Sequence, residues 1–347
     1  MLHPRLFRRQ GLRQGFAPQI FAKIEFACAS MYLAIPILAA LLFGQVSDVA
    51  GVPGALAEAR DLQTNGKLDK ARDIYERVLL LRPQDSEAQD GMSLTSEQLA
   101  LHERAAGHMD IAFNILVRAQ RAEPDNPRIL LDLGILEDEI MLYLEAAKTL
   151  EHLETLGAVD PNTYYALART DLHLGRLEPA EEQMKRYLKV RPDDASAHYG
   201  LGKIYLQGVQ FSKAETEFRR SIEIQPKQSE SYYELGQALL DQNEFEASMA
   251  QYQKTLERDP QHGGALAGMG IAYFKLKQYD EARKWLVKAT LASPDYQPGH
   301  YYLGLTLGRL GDASASRREL DLATQLAAKD NKEAATRITI LNPEAQP

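Results

Sequence analysis

Residues 195–228 read ASAHYGLGKIYLQGVQFSKAETEFRRSIEIQPKQ, and the two blocks that follow, 229–262 and 263–296, keep the same plan. Glycine holds the eighth place of each block (Gly202, Gly236, Gly270) and a small residue the twentieth (Ala214, Ser248, Ala282). A large residue holds the twenty-fourth (Phe218, Tyr252, Leu286) and proline the thirty-second (Pro226, Pro260, Pro294). Self-similarity at a 34-residue period is the mark of a repeat architecture, in which each block is one supersecondary unit.

The beat extends in both directions. The small residues begin at Gly134 and Ala168 and end at Gly304. The second small series is Ala71, Ala112, Ala146, Ala180, Ala214, Ser248, Ala282 and Ser316, each followed four places later by Tyr75, Leu116, Leu150, Met184, Phe218, Tyr252, Leu286 and Leu320. Eight units are drawn: 52–85, 93–126, 127–160, 161–194, 195–228, 229–262, 263–296 and 297–330. The six from 127 onward are contiguous and in register.

This pattern resembles the tetratricopeptide repeat, a helix–turn–helix with W-x2-L-G-x2-Y, then A, then A-x3-F, then P. Leu201-Gly202 with Tyr205, and Gly270 with Tyr273, carry the likeness best. The tryptophan is replaced by His198, Tyr232, Leu266 and His300, of which the two histidines read as packing residues. The resemblance implies an all-α, right-handed superhelical solenoid of about eight units. In it the small residue of the first helix faces the alanine or serine of the second, where a larger side chain would overpack at about 1–3 kcal/mol. The large residue four places on fills the groove against the next unit, and proline ends the second helix. No unit buries its apolar face alone, so stacking supplies the core.

Two irregularities interrupt the beat. Pro83 and Pro124 are 41 apart, one period plus seven. A first helix lengthened by two turns would keep its face, whereas Gly91 argues for a loop, with Thr95 and Gln98 as a capping box that starts the helix late. In the third unit Ala158 stands where proline is expected, leaving Gly157 and Pro161 to stop the helix. Residues 331–341 are expected to form one capping helix within a 331–347 tail.

The ends differ in charge. Residues 1–30 carry Arg5, Arg8, Arg9, Arg13 and Lys23 against Glu25, so the net charge of −8 less this +4 leaves −12 from Gln45 onward, since 31–44 is uncharged. So acidic a body repels phosphate backbones, which excludes nucleic acid as a general partner. Segment 1–51 reads as a basic stretch followed by the apolar run Met31–Phe43, the length of a signal-peptide core. Met31 as the true start, or an uncharged Phe26–Ser47 acting as an uncleaved anchor kinked at Pro36, are both compatible with it. Either way the basic end stays inside and the body lies outside, periplasmic or extracytoplasmic. Contact with a membrane is expected only through this segment. The single cysteine, Cys28, lies here, so the body has no disulfide and no cysteine-based zinc site.

In the family it resembles, first helices line a concave face where peptides bind, and the second, fifth, ninth, twelfth and thirteenth positions point into it. The fifth gives Tyr165, Tyr199, Tyr233 and Tyr301, with Ala267 interrupting; the ninth gives Arg169, Lys203 and Gln237. Tyrosine offers apolar area and a hydroxyl at low entropic cost, and a cation beside it suits a carboxylate. Packing against the neighbouring first helix is the competing role for these rings. The family's lysine–asparagine carboxylate clamp is missing, so a chaperone C-terminus is not implied.

Nothing points to catalysis, a cofactor or a metal. His102 and His108 are six apart, off one helix face, and H-E-x-x-H, G-x-S-x-G, Walker and dinucleotide fingerprints are absent. Asp138 and Glu139 read as a solvated face. The expectation is a non-catalytic binding scaffold for a protein or peptide partner, serving envelope or secretion complex assembly. The alternatives are an accessory subunit of a partner enzyme and a membrane-tethered spacer.

Overall fold

The computed structural model describes residues 51–157 and 160–341, and its regular structure there is sixteen α-helices in sequential antiparallel pairs. Two compact units divide them: 51–108 with 118–124, and 109–117 with 125–341. The N-terminal run with Met31–Phe43 lies outside the described residues, as does Ala158. No helix among the described residues is long and apolar enough to cross a membrane.

The first unit holds α1 (Val52–Thr64), α2 (Leu68–Leu81), α3 (Ser86–Ala105) and the end of α4 (Met109–Ala122). The seven extra residues lengthen α3 to 20 residues rather than forming a loop. Asp85 caps it, its side chain accepting from Ala88 N at 3.1 Å. Thr95 lies inside the helix, its hydroxyl donating to Gly91 O at 2.7 Å, so it caps nothing. Gly91 is helical because of what faces it: a Cβ there would sit 2.3 Å from the ring of Tyr75. The helix-propensity cost of glycine, about 1 kcal/mol, is offset by seating a fully buried aromatic ring. At the end of α4, Arg118 is bound by Glu76 and by Asp73 at 3.2 Å.

The second unit pairs α5 (Pro127–Glu139) with α6 (Tyr143–Thr155), α7 (Pro161–His173) with α8 (Leu177–Val190), and α9 (Ala195–Gln207) with α10 (Phe211–Ile224). It continues with α11 (Ser229–Asp241) and α12 (Phe245–Arg258), then α13 (Gly263–Lys275) and α14 (Tyr279–Ala292), then α15 (Gln297–Arg309) and α16 (Ala313–Leu341). Proline sets the stop between pairs by acting on the residue before it. Arg191, Gln225, Asp259 and Ser293, each preceding a proline, leave helical geometry with φ of −128°, −130°, −131° and −137°. Asn126, Asp160 and Asp194 then cap the following first helices. α16 runs 29 residues without a break, so no separate helix forms at 331–341; no glycine or proline lies between Ala313 and Leu341 to stop it.

The turn inside each pair is the same throughout. The N–H at position 16 reaches back to the carbonyl at position 11, as in Gln210 N to Tyr205 O at 2.8 Å and Glu244 N to Leu239 O at 2.9 Å. This closure forces position 15 into the left-handed region, with φ of 66° at Met141, 58° at Val209, 64° at Asn243 and 62° at Lys277. Gly66, Gly107, Gly175 and Gly311 meet it without strain. Val209 is the worst case, being β-branched and 68% exposed, so it gains no packing in return. Val209→Gly is therefore expected to stabilise the protein by about 0.5–1 kcal/mol, read as a raised urea midpoint; a lowered midpoint would show that the strain is not there.

The small-residue seam differs in detail from expectation. Ser248 does meet the first helix, donating to Gly236 O at 2.7 Å. Yet the space left by each missing Cβ is filled by the large residue of the same unit. A Cβ would meet Leu150 at 2.6 Å on Gly134, Phe218 at 2.5 Å on Gly202, Tyr252 at 2.7 Å on Gly236, Leu286 at 2.5 Å on Gly270 and Leu320 at 2.7 Å on Gly304. Two large residues also reach a glycine of the next unit, Met184 lying 2.9 Å from a Cβ on Gly200 and Tyr252 2.4 Å from one on Gly268.

Candidate functional site

Tyr165, Tyr199 and Tyr233 stand at equivalent places on α7, α9 and α11, half-buried. Each ring is braced by an aromatic of its own second helix: Tyr165 on Tyr187 at 5.2 Å, Tyr199 on Phe218 at 5.9 Å, and Tyr233 on Tyr252 at 6.0 Å between centroids. Burial pushes all three phenols above their usual range, Tyr233 most, so they stay neutral. Tyr301 differs. It is 43% exposed, and its ring meets that of Tyr302 edge-on at 5.4 Å.

The polar neighbours are already engaged. Arg169 Nε lies 2.7 Å from Asp138 Oδ2 on the preceding first helix. Lys203 is paired with Glu234 on the following one. Gln237 donates to Asp241 at 3.3 Å and accepts from Tyr252 OH at 3.4 Å.

Asp138 is the centre of the best-built cluster. It is 3% exposed, not a solvated face, and takes a 3.0 Å hydrogen bond from Thr170 with His173 Nδ1 also at 3.0 Å. Burial alone would raise its pKa; the bonds from His173 and Thr170 and the charge of Arg169 hold it below the usual carboxylate value. The sequence does hold a signal for it. At the twelfth position the five later units have Leu172, Leu206, Leu240, Phe274 and Gly308, so an acidic residue there stands out and needs partners.

Beside it, Glu137 is 6% exposed with one carboxylate oxygen that has no hydrogen-bond partner. Burial pushes it up to about 7, against the lowering effect of a Thr149 hydrogen bond. The folded protein therefore holds a proton between pH 4.5 and 7 that the unfolded chain releases. Its contribution to stability is full below about pH 4.5 and is lost as pH rises through 7. Glu137→Gln is expected to gain about 2–3 kcal/mol over wild type at pH 7.5 but little at pH 5. Urea titrations of both proteins at the two pH values check this; parallel curves would refute it.

His198 and His300 are hydrogen-bonded staples more than packing residues. His198 places Nδ1 at 2.6 Å from Glu217 and Nε2 at 3.0 Å from Pro192 O. His300 repeats this with Glu319 at 2.7 Å and Pro294 O at 2.9 Å. No three His, Cys, Asp or Glu side chains group as metal ligands would among the described residues.

Two family models, both described as tetratricopeptide repeat, match residues 165–229 and 239–304. Among solved structures, the APC/C hetero-tetramer Cut9–Hcn1 is similar over 79% of this chain and 52% of that one, at 17% identity and a TM-score of 0.56. MamA is similar over 48% of this chain and 97% of its own, at 20% identity and a TM-score of 0.42. YrrB, described as a TPR protein with an unusual peptide-binding site, is similar over 53% of this chain and 95% of its own, at 17% identity and a TM-score of 0.44. No curated protein sequence matches. At such identities the likeness to solved structures is one of fold.

Proposed function

We propose, because this chain is a tetratricopeptide-repeat protein and such proteins are interaction scaffolds for protein or peptide partners, that its second unit holds a peptide segment along α7, α9, α11 and α15. The observation that carries this is the bracing of Tyr165, Tyr199 and Tyr233, each fixed by an aromatic behind it while remaining half-buried rather than covered. A ring already immobilised loses little entropy on binding. Tyr301 adds an exposed ring at the far end, and the Arg169, Lys203 and Gln237 networks hold the spaces between. We further propose that the scaffold is exported or membrane-tethered by its N-terminal segment and serves envelope or secretion complex assembly. The support for that is the basic stretch followed by Met31–Phe43.

Affinity capture with the full chain tests the groove, comparing wild type with a Tyr165→Leu, Tyr199→Leu, Tyr233→Leu variant and, separately, Tyr301→Ala. Circular dichroism establishes that both remain helical. Loss of the same partners from both variants is expected, and equal recovery of every partner removes the groove. Protease protection in intact cells tests the location; digestion of the body only after lysis of every membrane would count against export.

A further inference from the structure

We infer that the groove takes an acidic peptide carrying apolar side chains, anchored at the last two repeats by Lys275 and Arg309 rather than by Arg169 and Lys203. This rests on the groove reading above and narrows it to one end and one ligand chemistry. Two observations bear on where a ligand carboxylate would go. Arg169 and Lys203 neutralise Asp138 and Glu234, both buried. Drawing either cation to a ligand would strand a desolvated carboxylate, which works against binding.

Lys275 and Arg309 carry no such commitment. Both are exposed, and neither has an ion pair or side-chain hydrogen bond among the described residues. They occupy the thirteenth position of successive units, where earlier units have Glu139, His173, Gln207 and Asp241. The charge of the array reverses with them: residues 127–262 sum to −9 and residues 263–330 to +2. An anionic chain is thus repelled by the earlier repeats and drawn to the last two.

Apolar contact lies beside the cations. Phe274 precedes Lys275 and sits 5.6 Å from both Tyr279 and Tyr302, with Tyr302 edge-on to the exposed Tyr301. A half-exposed aromatic cluster flanked by unpaired cations is complementary to an acidic segment with an apolar anchor. Neighbouring helix axes lie about 8–10 Å apart, a span that an extended chain covers in about three residues. The fitting ligand therefore places carboxylates about three residues apart.

The test is fluorescence anisotropy with the full chain and three pools of labelled 12-residue peptides. All have the same random apolar flanks and differ only at two positions three apart, filled with Glu, Gln or Lys. The Glu pool is expected to bind at least tenfold more tightly than the Gln pool, with an advantage that shrinks from 50 to 300 mM salt. A Lys275→Gln/Arg309→Gln variant should lose that advantage, whereas Arg283→Gln/Lys284→Gln, of equal charge change on α14, should keep it. Equal binding of the three pools, or equal loss in both variants, overturns the inference. If the Gln pool binds and the tyrosine variant alone abolishes it, the groove stands and the anchor falls; if no variant alters any pool, both fall. Sedimentation of the protein without peptide covers the remaining occupant: a salt-sensitive dimer lost in Lys275→Gln/Arg309→Gln would give the wall to a second copy and overturn the peptide.

Discussion

Tyr252→Ala is expected to destabilise the second unit by about 3–5 kcal/mol, near the top of the range for large-to-small core changes. The reason is what surrounds the ring. Tyr252 is fully buried, and it fills two hollows at once, above Gly236 of its own unit and Gly268 of the next. Neither glycine has a side chain that can swing into the vacancy, so the cavity cannot collapse cheaply. The phenol also donates to Gln237, and its ring supports Tyr233. In an array stabilised by neighbour contacts, the loss weakens two units together. Urea unfolding monitored by circular dichroism reads it; a change below about 1.5 kcal/mol would mean that the seam relaxes where the geometry says it cannot.

Asp138→Ala should cost about 2–4 kcal/mol, by a different route. It leaves Arg169, Thr170 and His173 without their shared acceptor. Arg169 is partly exposed and can turn to water, which keeps the loss below that of a fully enclosed pair. The sign of the pH dependence follows from the lowered pKa. Asp138 contributes stability above its unfolded value of 3.8 and loses it as pH falls through the folded value. The gap between wild type and Asp138→Ala should therefore be widest near neutrality and close in strong acid. A gap independent of pH would show that packing, not charge, sets the effect. Asp138→Asn separates the two, because it keeps an acceptor for Thr170 while removing the charge.

The repeats were legible because their chemistry is steric and local. A glycine opposite a ring, and a proline after a helix, must recur wherever the contact recurs. The features that were hidden depend on one partner rather than on the period. Gly91 looks like a loop residue until Tyr75 is seen against it. Asp138 and Glu139 look alike in sequence, and nothing there shows that Asp138 is buried against Arg169 and Thr170. His198 and His300 match the tryptophan position in register, while their carboxylate partners lie 19 residues on in the second helix. Arg169 and Lys203 look alike at the ninth position, yet one pairs with the first helix of the preceding unit and the other with that of the following one. The tyrosines were visible as a series; the aromatic bracing each one was not, because Tyr187 breaks the positional rule that Phe218 and Tyr252 obey.

The arrangement of rings over hollows also governs how such a gene can shorten or grow. Tyr252 belongs half to its own unit and half to the one after, so no natural seam lies at that unit boundary. Excising a whole number of 34-residue blocks within 127–330 keeps each large residue in phase with the first helix it faces. A cut out of phase by even a few residues sets side chain against backbone at the junction. Blocks of matched partners such as Gly202 with Phe218 are therefore interchangeable cassettes. A block carrying Ala168 with the pliant Met184 accepts fewer neighbours, because its first helix has already filled the space a ring would need.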